Sequence, residues 1–224
     1  MTLPPLIPHR ASQYAPEEML ARAESFFAEM NSRRSVREFS SEPVPRKLIE
    51  LAIATASTAP SGAHRQPWKF VAIDDAGLKS RIRVAAEKEE YESYEGGRMP
   101  DEWREAVAPF RTTWQKPFLE TAPWLVVVFE ESYRIDEQRE RSKNYYVKES
   151  VGIACGLFIT ALHHMGLATL THTPSPMHFL NDLCGRPDNE RPYILFPIGY
   201  PAADAQVPDL HRKSLDEVAV WNPR

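Results

Sequence analysis

Cysteine and glycine are scarce in this chain of 224 residues, which has two cysteines and nine glycines. Cys155 and Cys184 form neither a CxxC pair nor a zinc-ligand spacing, which is typical of a reducing compartment where thiols stay free. The glycines form no GxGxxG motif after a strand, no GxxxxGK(S/T) and no GxSxG. The sequence therefore gives no indication of a dinucleotide-type Rossmann site, a P-loop or a nucleophile elbow.

A basic excess and a long apolar run are also missing. The formal net charge is −4, so neither nucleic acid nor an anionic membrane is expected as a partner. The longest apolar stretch, residues 151–162, is too short to cross a bilayer, and the amino terminus lacks the apolar segment of a signal peptide. We therefore expect a cytoplasmic protein without a membrane anchor, with enough apolar residues for one main core.

Metal and nucleophile chemistry have weak support in the sequence. His163, His164, His172 and His178 lie close together along the chain, but they form neither HExxH nor a facial triad. Ser61 has no base specified beside it, as nucleophilic catalysis would require. We expect no metal site and no serine nucleophile.

Hydrophobic periodicity and turn residues predict the elements. The predicted helices cover 16–30, 45–56, 76–96, 101–120 and 144–165, and the predicted strands cover 68–73, 124–129, 167–171 and 192–198. The strand over 124–129 is apolar throughout, as in strands buried on both faces. Helices and strands alternate without a regular βαβ count, which indicates an α+β fold with a mixed sheet.

The predicted helix over 144–165 has an apolar middle with small residues, including Gly152, Ala154 and Gly156. Small residues allow another helix to approach closely, and apolar residues on every side require burial. A central helix within a monomer satisfies this pattern, and so does a helix at a subunit interface. The pattern alone leaves both interpretations open.

The segment RRSVR holds three arginines and a serine within five residues: Arg33, Arg34, Ser35 and Arg37. Guanidinium groups bind phosphate through paired, charge-assisted hydrogen bonds, so the segment is a candidate phosphate site. A solvated basic turn after a helix is the alternative.

Taken together, several segments resemble the nitroreductase superfamily and, within it, the iodotyrosine deiodinases. The resemblance runs from about Asn31 to Val220. The segments that carry it are RRSVREF, TAPSGAHRQPWKF, EKEEYESYEGGRM, FRTTWQKPFLETAP, SVGIACGLFITALHHMGLATLTHTP and PIGYPAADAQVPDLHRKSLDEV. RRSVR marks only the superfamily, whereas TAPSGAH combined with a glutamate, a tyrosine and a lysine is more specific.

The resemblance implies a nitroreductase-like, FMN-binding α+β domain over 31–220, in an intertwined homodimer with two active sites at the subunit interface. An arm and helix (1–30) precede this domain, a tail (221–224) follows it, and a lid spans about 87–118. The helix over 144–165 would then lie in the dimer contact. The implied activity is reductive dehalogenation of halotyrosines with release of halide. Electrons would come from NAD(P)H, directly or through a reductase.

The resemblance also assigns roles to single residues. Those assigned to FMN are Arg33, Arg34, Ser35, Arg37, Pro60, Ser61, Gly62, Thr171, His172, Thr173 and Arg212. Thr173 would hydrogen-bond flavin N5 and favour one-electron steps, which makes it the candidate catalytic residue. His172 interrupts a run of threonines in the family, so we expect only a backbone role for it.

Four residues are assigned to the substrate: Ala63 by its backbone, and Glu90, Tyr94 and Lys116 from the lid. Opposite charges suit the two ends of an amino-acid zwitterion, and lid closure would exclude water from the flavin. The stretch between Tyr94 and Lys116 is one residue longer than in the animal enzymes, so Glu87 and Tyr91 are alternative lid residues.

Other functions fit parts of the same pattern. Without the resemblance, the lid residues read as a charged helix pair with a solvated face. A general NAD(P)H-dependent nitroreductase or quinone reductase is the first alternative, and a non-catalytic flavin-binding protein is the second. A globular protein that binds no flavin is the third.

Overall fold

The computed structural model describes residues 3–135, 138 and 140–222 of the chain. The chain divides into two compact units, Met1–Arg33 and Arg34–Arg224. Within the described residues, every helix is too short or too polar to span a membrane.

The first unit consists of an extended arm and one helix. Residues 3–15 have no regular structure, and helix α1 covers Pro16–Ser32. A proline at the first turn and the carboxylates of Glu17 and Glu18 favour a helix start at this point. The helix predicted over 16–30 is confirmed and continues for two further residues.

The second unit contains the remaining elements. Its helices are α2 (Arg46–Ala56), α3 (Ala76–Tyr94), α4 (Asp101–Val107), α5 (Phe118–Thr121), α6 (Val147–His164), α7 (Phe179–Cys184) and α8 (Leu215–Val218). Its strands are β1 (Trp68–Ile73), β2 (Trp124–Glu131), β3 (Tyr133–Ile135), β4 (Arg141–Lys143), β5 (Ala168–Thr169) and β6 (Glu190–Gly199). The predicted β1 is confirmed at both ends, and β2 and β6 are confirmed with up to two further residues at an end.

Four strands form one sheet in the order β1-β2-β6-β5, and each neighbouring pair is antiparallel. An isolated parallel bridge joins Ser35 to Thr169, at the edge strand β5. Strands β3 and β4 form a separate antiparallel hairpin. Helices and antiparallel strands thus combine in an α+β fold, as the sequence predicts.

Strand β2 lies at the centre of the core because both of its faces are covered. Val126 and Val128 pack with residues of α2 and α6 on one face. Leu125, Val127 and Phe129 pack with residues of α3, α5 and α7 on the other. Successive side chains of a strand point to opposite faces, so a strand covered on both sides must be apolar throughout. The prediction for this strand is confirmed.

Helix α6 buries one face and exposes the other within the single chain. Val151, Phe158 and Leu162 are fully buried, and the ring of Phe158 contacts other aromatic rings of the core. On the opposite face Ile153 is 46% exposed and Gly156 is also exposed. The fold of one chain therefore covers one face of this helix and leaves apolar residues of the other face exposed.

Residues 101–120 are not the single helix that their apolar spacing predicts. Helix α4 ends at Val107, a 3-10 turn covers Ala108–Phe110, and Arg111 has a left-handed backbone with φ of 50°. An α-helix does not continue through a left-handed residue, so the chain is irregular until α5 begins at Phe118. Side-chain periodicity carries no information about such a backbone conformation, and the prediction was wrong for this reason.

Other element boundaries differ by smaller amounts. Helix α6 begins three residues after position 144 because Tyr146 is left-handed, with φ of 49°. Helix α2 begins after Pro45 rather than at it, and α3 ends two residues before the predicted end. The strand predicted over 167–171 is reduced to β5, which has two residues. Helices α7 and α8 and the β3–β4 hairpin were not predicted.

Candidate active site

A cavity of about 310 Å³ lies between helix α3, the irregular segment before α5, and the segment that follows β5. We call it the lid cavity. The residues that the sequence analysis assigned to cofactor or substrate and that line it are Arg37, Glu90, Tyr94, Lys116, Thr171, His172 and Thr173. Folding thus brings residues from four separate parts of the sequence to one site.

Glu90, Tyr94 and Lys116 meet in this cavity. Glu90 and Tyr94 are four residues apart on α3, so they lie on one face of the helix. The Lys116 Nζ lies 3.2 Å from a Glu90 carboxylate oxygen, with the side chains 4% and 14% exposed. The same Nζ donates to Thr112 Oγ1 at 3.0 Å and to the carbonyl of Thr113, and it lies 5.1 Å from the centre of the Tyr94 ring.

Burial sets the electrostatics of this group. It lowers the pKa of Lys116 and raises the pKa of Glu90, although each partner's charge opposes the shift. It also raises the pKa of Tyr94, so the phenol stays protonated and can donate a hydrogen bond. Both charges of the pair are shielded from water, and each depends on the other, or on a bound ligand, for compensation.

The alternative lid residues have other partners. A Glu87 carboxylate oxygen accepts a hydrogen bond of 2.6 Å from the backbone N–H of Lys116 and another of 2.8 Å from Arg83. Glu87 therefore fixes the backbone at Lys116. The Tyr91 ring is half exposed and packs edge-on against Trp114. The structure therefore favours Glu90 and Tyr94 over these two as the residues that face the cavity.

His172, for which the sequence analysis expects a backbone role, pairs with strand β6 through its backbone. Its N–H donates to the Leu195 carbonyl at 2.9 Å, and its carbonyl accepts from Leu195 N–H at 3.0 Å. Its side chain is buried under the lid with its ring edge-on to Phe118, whereas the flanking Thr171 and Thr173 are exposed. The side chain of His172 is therefore buried on the side opposite the exposed threonines.

The imidazole of His172 is neutral. Burial, reinforced by the positive charges of Lys116 and Arg37, lowers the pKa of His172 to about 3. Its Nε2 has no hydrogen-bond partner among the residues that the structure describes. Side-chain alternation along a strand-like segment is the signal that could have placed this residue on the opposite side from its neighbours.

A second cavity, of about 670 Å³, lies beside the arginine-rich segment, and we call it the arginine cavity. Ser35 and Arg37 line it on one side and residues 206–210 line it on the other. Arg37 borders both cavities, is half-buried, and has its pKa lowered by burial. A guanidinium that is poorly hydrated in this way is suited to binding an anion.

The end of the chain returns to the arginine-rich segment, as the assignment of Arg212 requires. Ser40 N–H donates to the Tyr200 carbonyl at 2.9 Å, and Gln206 N–H donates to a Glu38 carboxylate oxygen at 2.7 Å. Leu210, two residues before Arg212, lines the arginine cavity. Arg34 and Arg212 are exposed, and Arg33 lies in the first unit, as the residue that caps α1.

Residues 60–63 are not brought to either cavity. Among the described residues, the linings of the two cavities contain none of Pro60, Ser61, Gly62 and Ala63. Gly62 instead packs so closely against Tyr145 that an added Cβ would lie 2.6 Å from its carbonyl oxygen. The predicted site residues therefore do not all line the same cavities within the described part of one chain.

Sequence reasoning missed some side chains of the lid cavity. Thr112 accepts a hydrogen bond from Lys116, and Arg98 donates to Glu89 at 2.9 Å and to the Ser175 carbonyl at 2.7 Å. Arg98 thereby ties the end of α3 to the chain that follows Thr173. These contacts join distant segments, so no local pattern indicates them.

A model of the nitroreductase family matches residues 30–200. The chain belongs to the nitroreductase family. Among its relatives, an iodotyrosine deiodinase of Haliscomenobacter hydrossis is 55% identical over 217 residues, which cover 97% of this chain and 96% of the relative. The iodotyrosine deiodinase of Danio rerio is 45% identical, over 96% of this chain and 73% of the relative. The human iodotyrosine deiodinase 1 is 42% identical, over 96% and 74% respectively.

Solved structures of the nitroreductase family have the same fold. A crystal structure of oxidised iodotyrosine deiodinase bound to FMN and 3-iodo-L-tyrosine matches with a TM-score of 0.77 and 31% identity, over 89% of this chain and 99% of that one. A nitroreductase with bound FMN from Bacteroides fragilis matches with a TM-score of 0.63 and 20% identity, over 85% and 95%. The α+β nitroreductase fold that the resemblance implied is confirmed.

Proposed function

We propose that this protein is an FMN-dependent reductive dehalogenase of halotyrosines. The observation that carries the proposal is the lid cavity, where Glu90 and Lys116 present opposite charges a few ångströms apart beside Tyr94 and Thr173. A general reductase of flat aromatic substrates has no need of a buried ion pair in its substrate cavity. The names of the curated relatives support the same activity.

The donor set of the arginine cavity fits FMN. The guanidinium groups of Arg37 and Arg111 and the hydroxyl of Ser35 line it, so a phosphate would find several donors there. Glu38 and Asp209 line the same cavity, so the phosphate would have to bind on the arginine side, away from these carboxylates. Ser35, Arg34 and Arg37 would hold the phosphate and ribityl end, together with Arg212. FMN supplies the two electrons that replace the carbon–halogen bond by a carbon–hydrogen bond, with uptake of a proton and release of halide.

The lid residues would recognise both ends of the amino acid. Glu90 would pair with the substrate ammonium, and Lys116 and Tyr94 would bind its carboxylate. A zwitterion can thus replace the present pair with two new ones, so that neither buried charge is left without a partner. Closure of the lid over the ligand would exclude water from the flavin and strengthen these contacts.

The remaining predicted residues would act at the reacting ring. The Thr173 hydroxyl would donate a hydrogen bond at flavin N5, and the Ala63 N–H would bind the substrate phenolate. Because residues 60–63 of one chain line neither cavity, the active site would take these residues from a second copy of the chain. The proposal therefore includes a homodimer, with the exposed face of α6 in the contact. It also includes a cytoplasmic location and NAD(P)H as electron donor, directly or through a reductase.

Ligand binding tests the proposal directly. The purified protein should be yellow, and titration of its oxidised form with 3-iodotyrosine should change flavin fluorescence at much lower concentrations than titration with tyrosine. The chemically reduced protein should then release iodide from iodotyrosine. Rapid reduction of nitroaromatics with no binding of iodotyrosine would instead favour a general nitroreductase.

A further inference from the structure

Residues 61–66, which we call the anchored loop, have an unusual backbone. Ala63, His64 and Gln66 adopt left-handed conformations with φ of 50°, 53° and 48°. Each such conformation costs a non-glycine residue about 1–2 kcal/mol. A loop with three of them persists only where the surrounding structure holds it in place.

Some of the restraint comes from the loop itself and from α6. The Ser61 side-chain oxygen accepts from Gln66 N–H at 2.9 Å, and the Ser61 carbonyl accepts from His64 N–H at 3.0 Å. Gly62 N–H donates to the buried Ser150 Oγ at 3.3 Å. These bonds close the loop and fix its first half against the start of α6.

Arg65 fixes the second half to the β3–β4 hairpin and to the residue after it. Its guanidinium donates to Asn144 Oδ1 at 3.0 Å, to Ser142 Oγ at 2.7 Å and to the Lys143 carbonyl at 3.4 Å. Its own carbonyl accepts a hydrogen bond from the Arg134 guanidinium. Both the side chain and the backbone of Arg65 are therefore bound to the hairpin region.

The partner of Arg65 is itself rigid. Asn144 is 2% exposed, and its Nδ2 donates to the Glu131 carbonyl at 2.7 Å and to the Glu131 carboxylate at 3.2 Å. Glu131 is the last residue of β2, the central strand. The anchored loop is thus linked through two side chains to the most buried element of the fold.

We infer that Arg65 is a positioning residue that holds the anchored loop so that the Ala63 N–H faces the substrate phenolate. Arg65 acts through the backbone of Ala63, two positions earlier. This inference rests on the proposed function, which assigns the phenolate to Ala63.

Two measurements on the FMN-loaded protein test the inference, with Arg65→Ala as the principal variant. Hydrogen exchange of a peptide covering residues 60–67 should become at least about fivefold faster, because local opening no longer breaks the Arg65 bonds. The dissociation constant for iodotyrosine should rise about tenfold at a pH where the phenol is ionised, and much less where it is protonated.

Matched variants separate positioning from a general loss of structure. Arg65→Lys keeps the charge but not the forked geometry, so it should recover only part of the affinity. Arg141→Ala also removes a guanidinium from this hairpin. The Arg141 guanidinium contacts the Tyr133 ring rather than the anchored loop, so this variant should behave as the wild type. Asn144→Ala removes the buried acceptor of Arg65 and should loosen the same peptide, so it tests the inference if Arg65→Ala does not fold.

The outcomes distinguish this inference from the proposed function. The role of Arg65 would be overturned if hydrogen exchange in Arg65→Ala equalled that of the wild type. It would also be overturned if the dissociation constant for iodotyrosine rose by the same factor at every pH. If the wild-type protein does not bind iodotyrosine, the proposed function fails. Faster exchange in Arg65→Ala would still show in that case that Arg65 anchors the loop.

Discussion

Among single residues, the pairing of Glu90 with Lys116 has the clearest consequence for ligand choice. A ligand with only one charge would split the pair and leave one buried charge without a partner, which costs several kcal/mol. A zwitterion avoids this cost by supplying both partners. A simple halophenol offers a partner to neither charge, and closing the lid over it would take the remaining water from both, so the resting pair disfavours halophenols as well.

This discrimination predicts a gain of function when both charges are removed. Glu90→Gln and Lys116→Met should each weaken iodotyrosine binding at least about tenfold, because each leaves an unpaired buried charge. The double variant should bind an iodophenol without the amino-acid part more tightly than the wild type does. Flavin fluorescence titration of the four proteins measures these affinities, and equal iodophenol binding in all four would contradict the argument.

His172 provides a prediction about stability and pH. Its pKa is about 3 in the folded protein, against an ordinary value of about 6.5. Between these values the unfolded chain binds a proton here and the folded chain does not, so stability falls as the pH is lowered through this window. The loss is at most about 1.4 kcal/mol per pH unit.

Replacement of His172 by leucine should reduce this sensitivity to acid. The urea midpoint of His172→Leu should fall less between pH 7 and about pH 4.5 than that of the wild type, because other groups titrate alike in both proteins. An equal fall in the two proteins would mean that the imidazole is accessible to protons in the folded state.

The sequence predicted some of these residues better than others. The resemblance assigned Glu90 and Tyr94, and helical spacing placed the two on one face of α3, which depends only on local geometry. The position of Lys116 was ambiguous because the extra residue falls before it, in an irregular segment that includes left-handed Arg111. The orientation of His172 depends on pairing with Leu195, a contact between residues far apart in sequence.

At the scale of elements, α3 connects the core to the lid cavity. Ile82 is fully buried near its middle, and Val84 on the same helix is 67% exposed. Ile82→Ala should lower the free energy of unfolding by about 2–5 kcal/mol, because it leaves a cavity against the sheet. Val84→Ala should change it by less than about 0.5 kcal/mol.

Urea unfolding at equal protein concentrations measures both changes. The same variant distinguishes an effect on folding stability from an effect on ligand binding, because Ile82 lines neither cavity among the described residues. Iodotyrosine affinity should be retained in Ile82→Ala well below its unfolding midpoint. If the folded Ile82→Ala protein no longer bound iodotyrosine, the loss would show that α3 shifts when the buried side chain of Ile82 is shortened.

Elements with a strong hydrophobic pattern were predictable, and those fixed by backbone conformation or long-range pairing were not. Strand β2 was found because it must be apolar on both faces. The start of α6 was missed because Tyr146 adopts a left-handed conformation, and β5 was overestimated because its length depends on how far β6 pairs with it.

For the whole molecule, the separation of residues 60–63 from the lid cavity predicts that each active site combines two chains. Gly62→Ala should disable the loop of one subunit because the added Cβ would meet the Tyr145 carbonyl. Glu90→Gln should disable the lid of the other. A mixed dimer of these two variants would contain one site with both parts intact and one with neither.

Co-expression with two different affinity tags allows the mixed dimer to be isolated. It should release iodide at about half the wild-type rate per dimer, whereas each variant homodimer should be nearly inactive. A mixed dimer no more active than the two homodimers would show that lid and loop of one chain serve the same site.

Because Arg37 forms a wall common to the lid cavity and the arginine cavity, the two binding equilibria cannot be independent. A phosphate bound in the arginine cavity would order the Arg37 side chain. An amino acid that then binds in the lid cavity would not have to supply the entropic cost of that ordering. Thermodynamic reciprocity then requires that halotyrosine strengthen FMN binding by the same free energy with which FMN strengthens halotyrosine binding. The protein would retain its cofactor best when substrate is abundant.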